Sequence, residues 1–204
     1  MKLIPVIEGL SLAEYLAFEA EQAKTVTEPV FFTWQVPPTV IYGQHQIPAQ
    51  EINETFCHEN NIAIVQRQSG GGCVYADEGN VMVSFIIPTE HVRHTFESCI
   101  RMLADALQAL GYEAVTTQHN DILVGERKVS GSACYWVDKI AVVHATMMYD
   151  VNIDVLQQAI TPTTDKLRKH AVQSVRQRVT NLRAIRDLGP TADFRKQLEK
   201  KLET

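Results

Sequence analysis

Two groups of residues in this chain have the types and spacing to handle an anion. The first is Arg67-Gln-Ser-Gly-Gly-Gly-Cys73, where Ser69, Gly70, Gly71 and Gly72 closely follow an arginine. Glycine has no Cβ, so a triple-glycine loop lets backbone N–H groups approach a ligand and takes up positive φ at little steric cost. The second is Arg127-Lys-Val-Ser-Gly-Ser-Ala133, with Lys128 two residues before Ser130-Gly-Ser132, small residues that let a ligand lie close to a strand. Asn120-Asp121 and His144, which sits in the apolar run Ala141–Met148, are weighed beside them. An arginine before the loop and a lysine from a later element bring positive charge to one place. The simplest ligand that asks for all three features is a phosphate or carboxylate. The loop matches neither GxxxxGK[ST] nor GxGxxG opening a helix, so the nucleotide fingerprints do not apply.

Each of these residues also has a plainer role. A strand lysine such as Lys128 commonly faces solvent. Asn120-Asp121 and Asn80, which follows Asp77-Glu-Gly79, suit turns as well as ligands. A lone histidine in an apolar strand is commonly a hydrogen-bonded core residue. Cys73 and Cys134 lie beside the candidate site and read first as small core hydrophobes. A nucleophilic role would need a neighbouring base or cation, for which Lys128 is the candidate at Cys134. The glycine triplet is the exception, because three glycines cost conformational entropy with no packing return.

The elements that must position these groups follow from periodicity. Strands are expected over Lys2–Ile7, Val30–Val36, Val40–Tyr42, Ile62–Arg67, Val81–Ile87, Asp121–Val124, Lys128–Trp136 and Ile140–Tyr149, with Gly125-Glu126 as a hairpin turn. Helices are expected over Leu12–Ala23 (capped by Ser11), Ala49–Asn60, His91–Leu110 (closed by Gly111), Ile153–Ala159, Pro162–His170 and Phe194–Leu202. Strands joined by short turns dominate the middle, which predicts an α+β domain with a mainly antiparallel central sheet flanked by helices.

At 204 residues the chain is read as one domain, 1–204. The net charge of -5 argues against general nucleic-acid affinity. The charge is uneven: residues 160–204 hold 11 Lys+Arg against 5 Asp+Glu. That basic end reads either as a solvated helical face or as a dock for an acidic protein or nucleotide. The four cysteines have neither zinc nor CxxC spacing. No signal peptide and no membrane-length apolar run is read, so a cytoplasmic protein with reduced thiols is expected.

Taken together, these segments resemble the lipoate-protein ligase family, related to biotin protein ligases and class II synthetase catalytic domains. The likeness runs in order through Tyr42-Gly-Gln-His-Gln46 with Glu51-Ile-Asn53, Arg67–Asn80, Asn120–Val124, Arg127–Ala133, His144-Ala-Thr146 and Ser174–Leu182. The resemblance implies activation of lipoate by ATP with magnesium to lipoyl-adenylate, then acyl transfer to a lysine of a lipoyl domain. The implied acceptors are the E2 subunits of 2-oxoacid dehydrogenases and the glycine cleavage H protein. It makes Lys128 the essential lysine. It places Arg67, Ser69 and Gly70–Gly72, with Asn80, Asn120, Asp121, Ser130, His144 and Ala145, around the acyl chain and adenylate.

The chain departs from the family pattern at Ala76, where histidine is usual, and at Ala145, where glycine is usual and a methyl group is expected to crowd the acyl chain or adenine. It ends soon after Thr180-Asn-Leu182, so the family's C-terminal accessory domain is expected to be absent. The expected consequence is either an accessory subunit or a domain that mainly performs transfer. Two other readings compete. A cysteine-dependent octanoyl- or lipoyl-transferase would carry its cysteine in Glu113–Gln118 or Asp150–Thr164, which contain none. A non-catalytic protein binding lipoate or a lipoyl domain is the other.

Overall fold

The computed structural model of the protein describes residues 1–118, 120–160 and 178–203. Its strands are β1 (Lys2–Leu3), β2 (Val30–Trp34), β3 (Thr39–Tyr42), β4 (Ala63–Gln66), β5 (Val74–Ala76), β6 (Asn80–Pro88), β7 (Ala114–Thr116), β8 (Asp121–Val124), β9 (Arg127–Val137) and β10 (Ile140–Met148). A seven-stranded sheet runs β1-β2-β6-β10-β9-β8-β7 and is antiparallel except for the β1/β2 pair. A three-stranded sheet runs β4-β3-β5, with β3 parallel to β4. The expected α+β class and largely antiparallel central sheet are both present.

Helices cover both faces of the large sheet. α1 (Leu12–Thr25) starts at a capping box in which Ser11 and Glu14 satisfy each other's backbone N–H groups. With β2, β6 and β10 it encloses Leu12, Tyr15, Phe32, Trp34, Met82 and Val142. On the other face lies α4 (Val92–Ala109), followed by Gly111 at φ 90°. It packs Cys99, Ile100, Leu103 and Leu107 against Val81, Val83, Phe85, Val143 and Met147. Because both faces are covered, β10 is buried along its whole length and reads in sequence as an almost unbroken apolar run. A third cluster, including Val40, Ile52, Cys57, Tyr75 and Leu156, lies around the small sheet with α3 (Glu54–Glu59) and α5 (Ile153–Ala159).

Several boundaries differ from the sequence reading. The helix expected over Ala49–Asn60 is two pieces, α2 (Pro48–Glu51) and α3. Ile52 is extended between them, and Asn53 caps the second by accepting from Phe56 N–H. β1 ends at Leu3, before Pro5, which has no N–H to give a ladder. β5 and β7, three residues each, are too short to show a period. The helix expected over Pro162–His170 lies outside the described residues. α6 (Leu182–Ile185) precedes α7 (Thr191–Leu202), which buries Phe194, Leu198 and Leu202 and exposes Lys196 and Lys200. This part of the basic end is a solvated helical face. Among the described residues no helix is long and apolar enough to cross a membrane.

Two hairpins fix the register around the site. Gly125 and Glu126 (φ 53° and 42°) turn β8 into β9, and Asp138 and Lys139 (φ 47° and 65°) turn β9 into β10. Paired positive φ values match the natural twist of the flanking strands. Gly79 marks a close approach: a Cβ there would sit 2.0 Å from the Asp150 carbonyl oxygen, so no side chain fits. Gly79 O instead accepts from Asp150 N–H at 2.8 Å, and Asp77 ties its two oxygens to the N–H groups of Gly79 and Asn152.

Candidate active site

A cavity of about 320 Å³ opens between α1, the glycine loop and the centre of the large sheet. Leu12, Leu16, Trp34, Ile41, Val74 and Met82 give it an apolar interior. Arg67, Gly71, Gly72, Asn120, Asp121, Lys128, His144 and Thr146 supply its polar wall. An apolar pocket with a few convergent polar groups suits a ligand that is greasy at one end and charged at the other.

Lys128 reaches this cavity because of an irregularity in β9. Ile122 pairs with Ser130 but Leu123 pairs with Lys128, so Val129 is an extra residue on the β9 side. In unbroken alternation Lys128 would share a face with Ser130 and point toward α4. The bulge puts Val129 into the α4 core and turns Lys128 to the cavity. Its Nζ lies 2.8 Å from Asp121 Oδ1, with the two side chains 33% and 27% exposed. An ion pair this open is worth about 0–1 kcal/mol, so Lys128 can change partner at small cost. Gly131 makes room for it, since a Cβ there would lie 2.9 Å from Lys128 Nζ. Thr146 Oγ1 pairs with both the N–H and the C=O of Gly131, at 3.1 and 3.3 Å. Thr180 N–H donates to Lys128 O at 3.0 Å, and Asn181 pairs its side-chain amide with the backbone of Val151. The Thr180-Asn-Leu182 segment is thereby pinned beside the lysine.

Arg67 shapes the glycine loop from within. It is 6% exposed and engages four of its five N–H groups inside the protein. Nε donates to Ser69 Oγ (3.0 Å), Nη1 to Ile41 O (3.2 Å), and Nη2 to Gly70 O (2.8 Å) and Gly72 O (2.7 Å). Burial lowers its pKa from the usual arginine value. The sequence reading gave Arg67 to the ligand, whereas the structure spends most of its donors on the loop. Gly71 takes φ 94°, and Gly43 abuts it so closely that a Cβ on Gly43 would meet Gly71 O at 2.4 Å. With two loop carbonyls turned to Arg67, the N–H groups of Gly70, Gly71 and Gly72 donate to nothing among the described residues. Added Cβ atoms at Gly70 and Gly72 would meet open space. This is a nest of backbone donors ready for an anion.

His144 lies at the base of the cavity, its Nε2 2.6 Å from Ser69 Oγ and its Nδ1 3.5 Å from Glu19 Oε2. Glu19, on α1, is fully buried. Ser84 donates to its other oxygen and in turn accepts from Trp34 Nε1 at 2.8 Å. Glu19 was missed from sequence, and so were Trp34, Ser84 and Gly43 as parts of the site. The available signal was a glutamate at position i+7 and i+3 from the apolar Leu12 and Leu16, a place that faces the core.

The remaining expected residues fall in three places. Asn120 lines the cavity at φ 64°, a conformation asparagine tolerates, next to Asp121. Ala145 borders the cavity, and it is also packed in the α4 core between the inward-facing His144 and Thr146. Ala76 is buried in the α1 core. Ser69 and Gly70 stand behind the wall, bonded to Arg67. Asn80 and Ser130 lie outside the cavity lining, and their buried polar side-chain atoms have no partner among the described residues.

The cysteines are poor nucleophiles. Burial pushes Cys73, which lines the cavity, up to about 12, and Cys134 up to about 11. Cys134 packs on the α4 side, opposite the face to which the bulge turns Lys128. Replacing both Cys73 and Cys134 by serine is therefore expected to leave acyl transfer essentially unchanged in a steady-state assay. A large loss in a folded double variant would restore the transferase reading.

A family model described as the lipoyl protein ligase A/B catalytic domain matches residues 6–203. The lipoate–protein ligase 1 of Staphylococcus aureus is 36% identical over 156 residues, 76% of this chain and 48% of that protein. Lipoate-protein ligase LplJ of Bacillus subtilis is 37% identical over 163 residues, 79% of this chain and 49% of that protein. The chain thus spans about half the length of the curated relatives it matches. Among solved structures, a bipartite lipoate protein ligase from Thermoplasma acidophilum superposes with a TM-score of 0.89 at 23% identity, covering 99% of this chain and 82% of that one. A lipoate-protein ligase A bound with ATP gives 0.87 at 21% identity, covering 99% and 83%. A match across nearly the whole sequence, on a fold shared with these structures, means that the chain belongs to the lipoyl protein ligase A/B catalytic domain family.

Proposed function

We propose that the protein is a lipoate-protein ligase. It joins the carboxylate of lipoate to the adenylyl group of ATP, releasing pyrophosphate, and passes the lipoyl group to the ε-amine of a lysine on a lipoyl domain, releasing AMP. The observation that carries this reading is the placing of Lys128 by the β9 bulge into an apolar cavity, together with free N–H groups of the glycine loop. The apolar interior suits the acyl chain, and the polar wall suits the mixed anhydride between carboxyl and phosphate. Lys128 would leave Asp121 for oxygens that gain negative charge in both steps, where a fixed cation stabilises the transition state more than the ground state.

ATP supplies the adenylyl group and makes AMP the leaving group. Among the described residues no three His, Cys, Asp or Glu side chains form a metal cluster. Magnesium would come with the triphosphate, and Asp121, the one carboxylate among the described cavity-lining residues, would be available to hold it. The related ligases named above and the ATP-bound neighbour support this chemistry. The acceptors proposed are the lipoyl domains of 2-oxoacid dehydrogenase E2 subunits and the glycine cleavage H protein. The bipartite neighbour and its E2 lipoyl domain support the E2 acceptor and a second subunit, to which we assign a part in the first step. Four free thiols and the use of ATP suit the cytoplasm.

The test is the intact mass of an apo lipoyl domain after incubation with the protein, lipoate, ATP and magnesium, beside a reaction given preformed lipoyl-adenylate. A lipoyl mass gain with ATP is the expected result. Gain with the adenylate alone assigns activation to a partner subunit. No gain in either reaction removes the ligase reading in favour of a carrier-dependent transferase or a binding protein.

A further inference from the structure

We infer that Glu19 is a positioning residue that sets the proton on His144 and, through Ser69 and Arg67, the shape of the glycine loop. The inference rests on the ligase reading for its effect on turnover, and on the hydrogen-bond chain alone for its structure. A buried carboxylate in an otherwise apolar helix face is costly unless its oxygens are met. One oxygen of Glu19 is met by Ser84, whose hydroxyl donates to it because a carboxylate oxygen can only accept, while the Ser84 oxygen accepts from Trp34 Nε1–H. The other lies 3.5 Å from His144 Nδ1 without a formed hydrogen bond, and both atoms are without a hydrogen-bond partner among the described residues. A carboxylate oxygen can only accept, so this facing pair calls for the proton on Nδ1. Nε2 is then a bare acceptor. It takes the Ser69 hydroxyl hydrogen at 2.6 Å, which leaves the Ser69 oxygen to accept from Arg67 Nε at 3.0 Å. Arg67 in turn holds Gly70 O and Gly72 O. The direction of every bond from α1 to the loop therefore follows from one acceptor.

Glu19→Gln tests this because it reverses that acceptor with almost no change of shape. With the amide oxygen kept toward Ser84, the amide NH2 faces His144 and requires a bare Nδ1. The proton moves to Nε2, and Ser69 then has two donors aimed at it. Nitrogen-15 NMR of the full chain, with the His144 ring signals assigned by their loss in His144→Gln, should show the proton on Nδ1 in the unmodified protein and on Nε2 in Glu19→Gln. The KM for lipoate should rise about tenfold, the weight of one buried hydrogen bond, with kcat little changed. A proton on Nε2, or on both nitrogens, in the unmodified protein overturns the inference and needs no variant to fold. An unchanged ring pattern or an unchanged KM in Glu19→Gln overturns it as well. A chain inert in both arms of the mass assay would remove the ligase reading, while the two ring patterns would still decide the role of Glu19.

Discussion

Lys128→Ala is expected to lower lipoyl transfer by at least about a hundredfold to a thousandfold, the range for removing one preorganised group that meets developing charge. The loss should appear both with ATP and lipoate and with preformed lipoyl-adenylate, because the same cation serves both steps. The fold should survive. Lys128 is a third exposed and its ion pair with Asp121 is similarly open, so its removal costs about 0–1 kcal/mol. Its backbone acceptor for Thr180 stays in place, because every residue has that carbonyl. Unfolding midpoint and intact-mass turnover, measured together, separate the two effects. Retained turnover in a folded Lys128→Ala protein would remove the lysine from the chemistry. Loss in the ATP reaction alone would confine it to activation.

That lysine also shows where sequence reading reaches and where it stops. The glycine triplet, the Ser-Gly-Ser turn and the order of motifs were all legible, because glycine and small residues at fixed offsets have few structural uses. The long strands β6, β9 and β10 and helix α4 were legible from their apolar runs and period. The bulge at Val129 was not. A valine after a lysine reads as ordinary alternation, and only the pairing of Ile122 with Ser130 and Leu123 with Lys128 reveals the extra residue. Glu19 was hidden for a related reason. On α1 it looks like one more surface acid beside Glu14 and Glu21, and its burial depends on partners 65 and 125 residues away along the chain. The setting of Ala145 was hidden too, because only the pleat shows that the residue packs in the α4 core as well as bordering the cavity.

Arg67 carries the second large effect, and substitution by lysine measures it better than truncation does. Arg67→Lys keeps the charge and much of the aliphatic stem, so any loss belongs to the guanidinium fork. The four hydrogen bonds of Arg67 go to Ile41, Ser69, Gly70 and Gly72, which lie on different sides of the group. A single ammonium at the end of a flexible stem cannot meet them together. Two lost bonds to a buried charge, at about 1.5–3 kcal/mol each, predict destabilisation of about 3–6 kcal/mol. The loop carbonyls of Gly70 and Gly72 would then turn outward and spoil the nest of N–H groups. Affinity for a non-hydrolysable lipoyl-adenylate analogue should accordingly fall about a hundredfold, equivalent to about 2.7 kcal/mol. Thermal unfolding read beside calorimetric titration tests both parts. A stable Arg67→Lys protein with normal affinity would mean that the loop holds its shape without the fork. A stable protein with weakened affinity would return Arg67 to direct contact with the ligand, the role its place before the glycines first suggested.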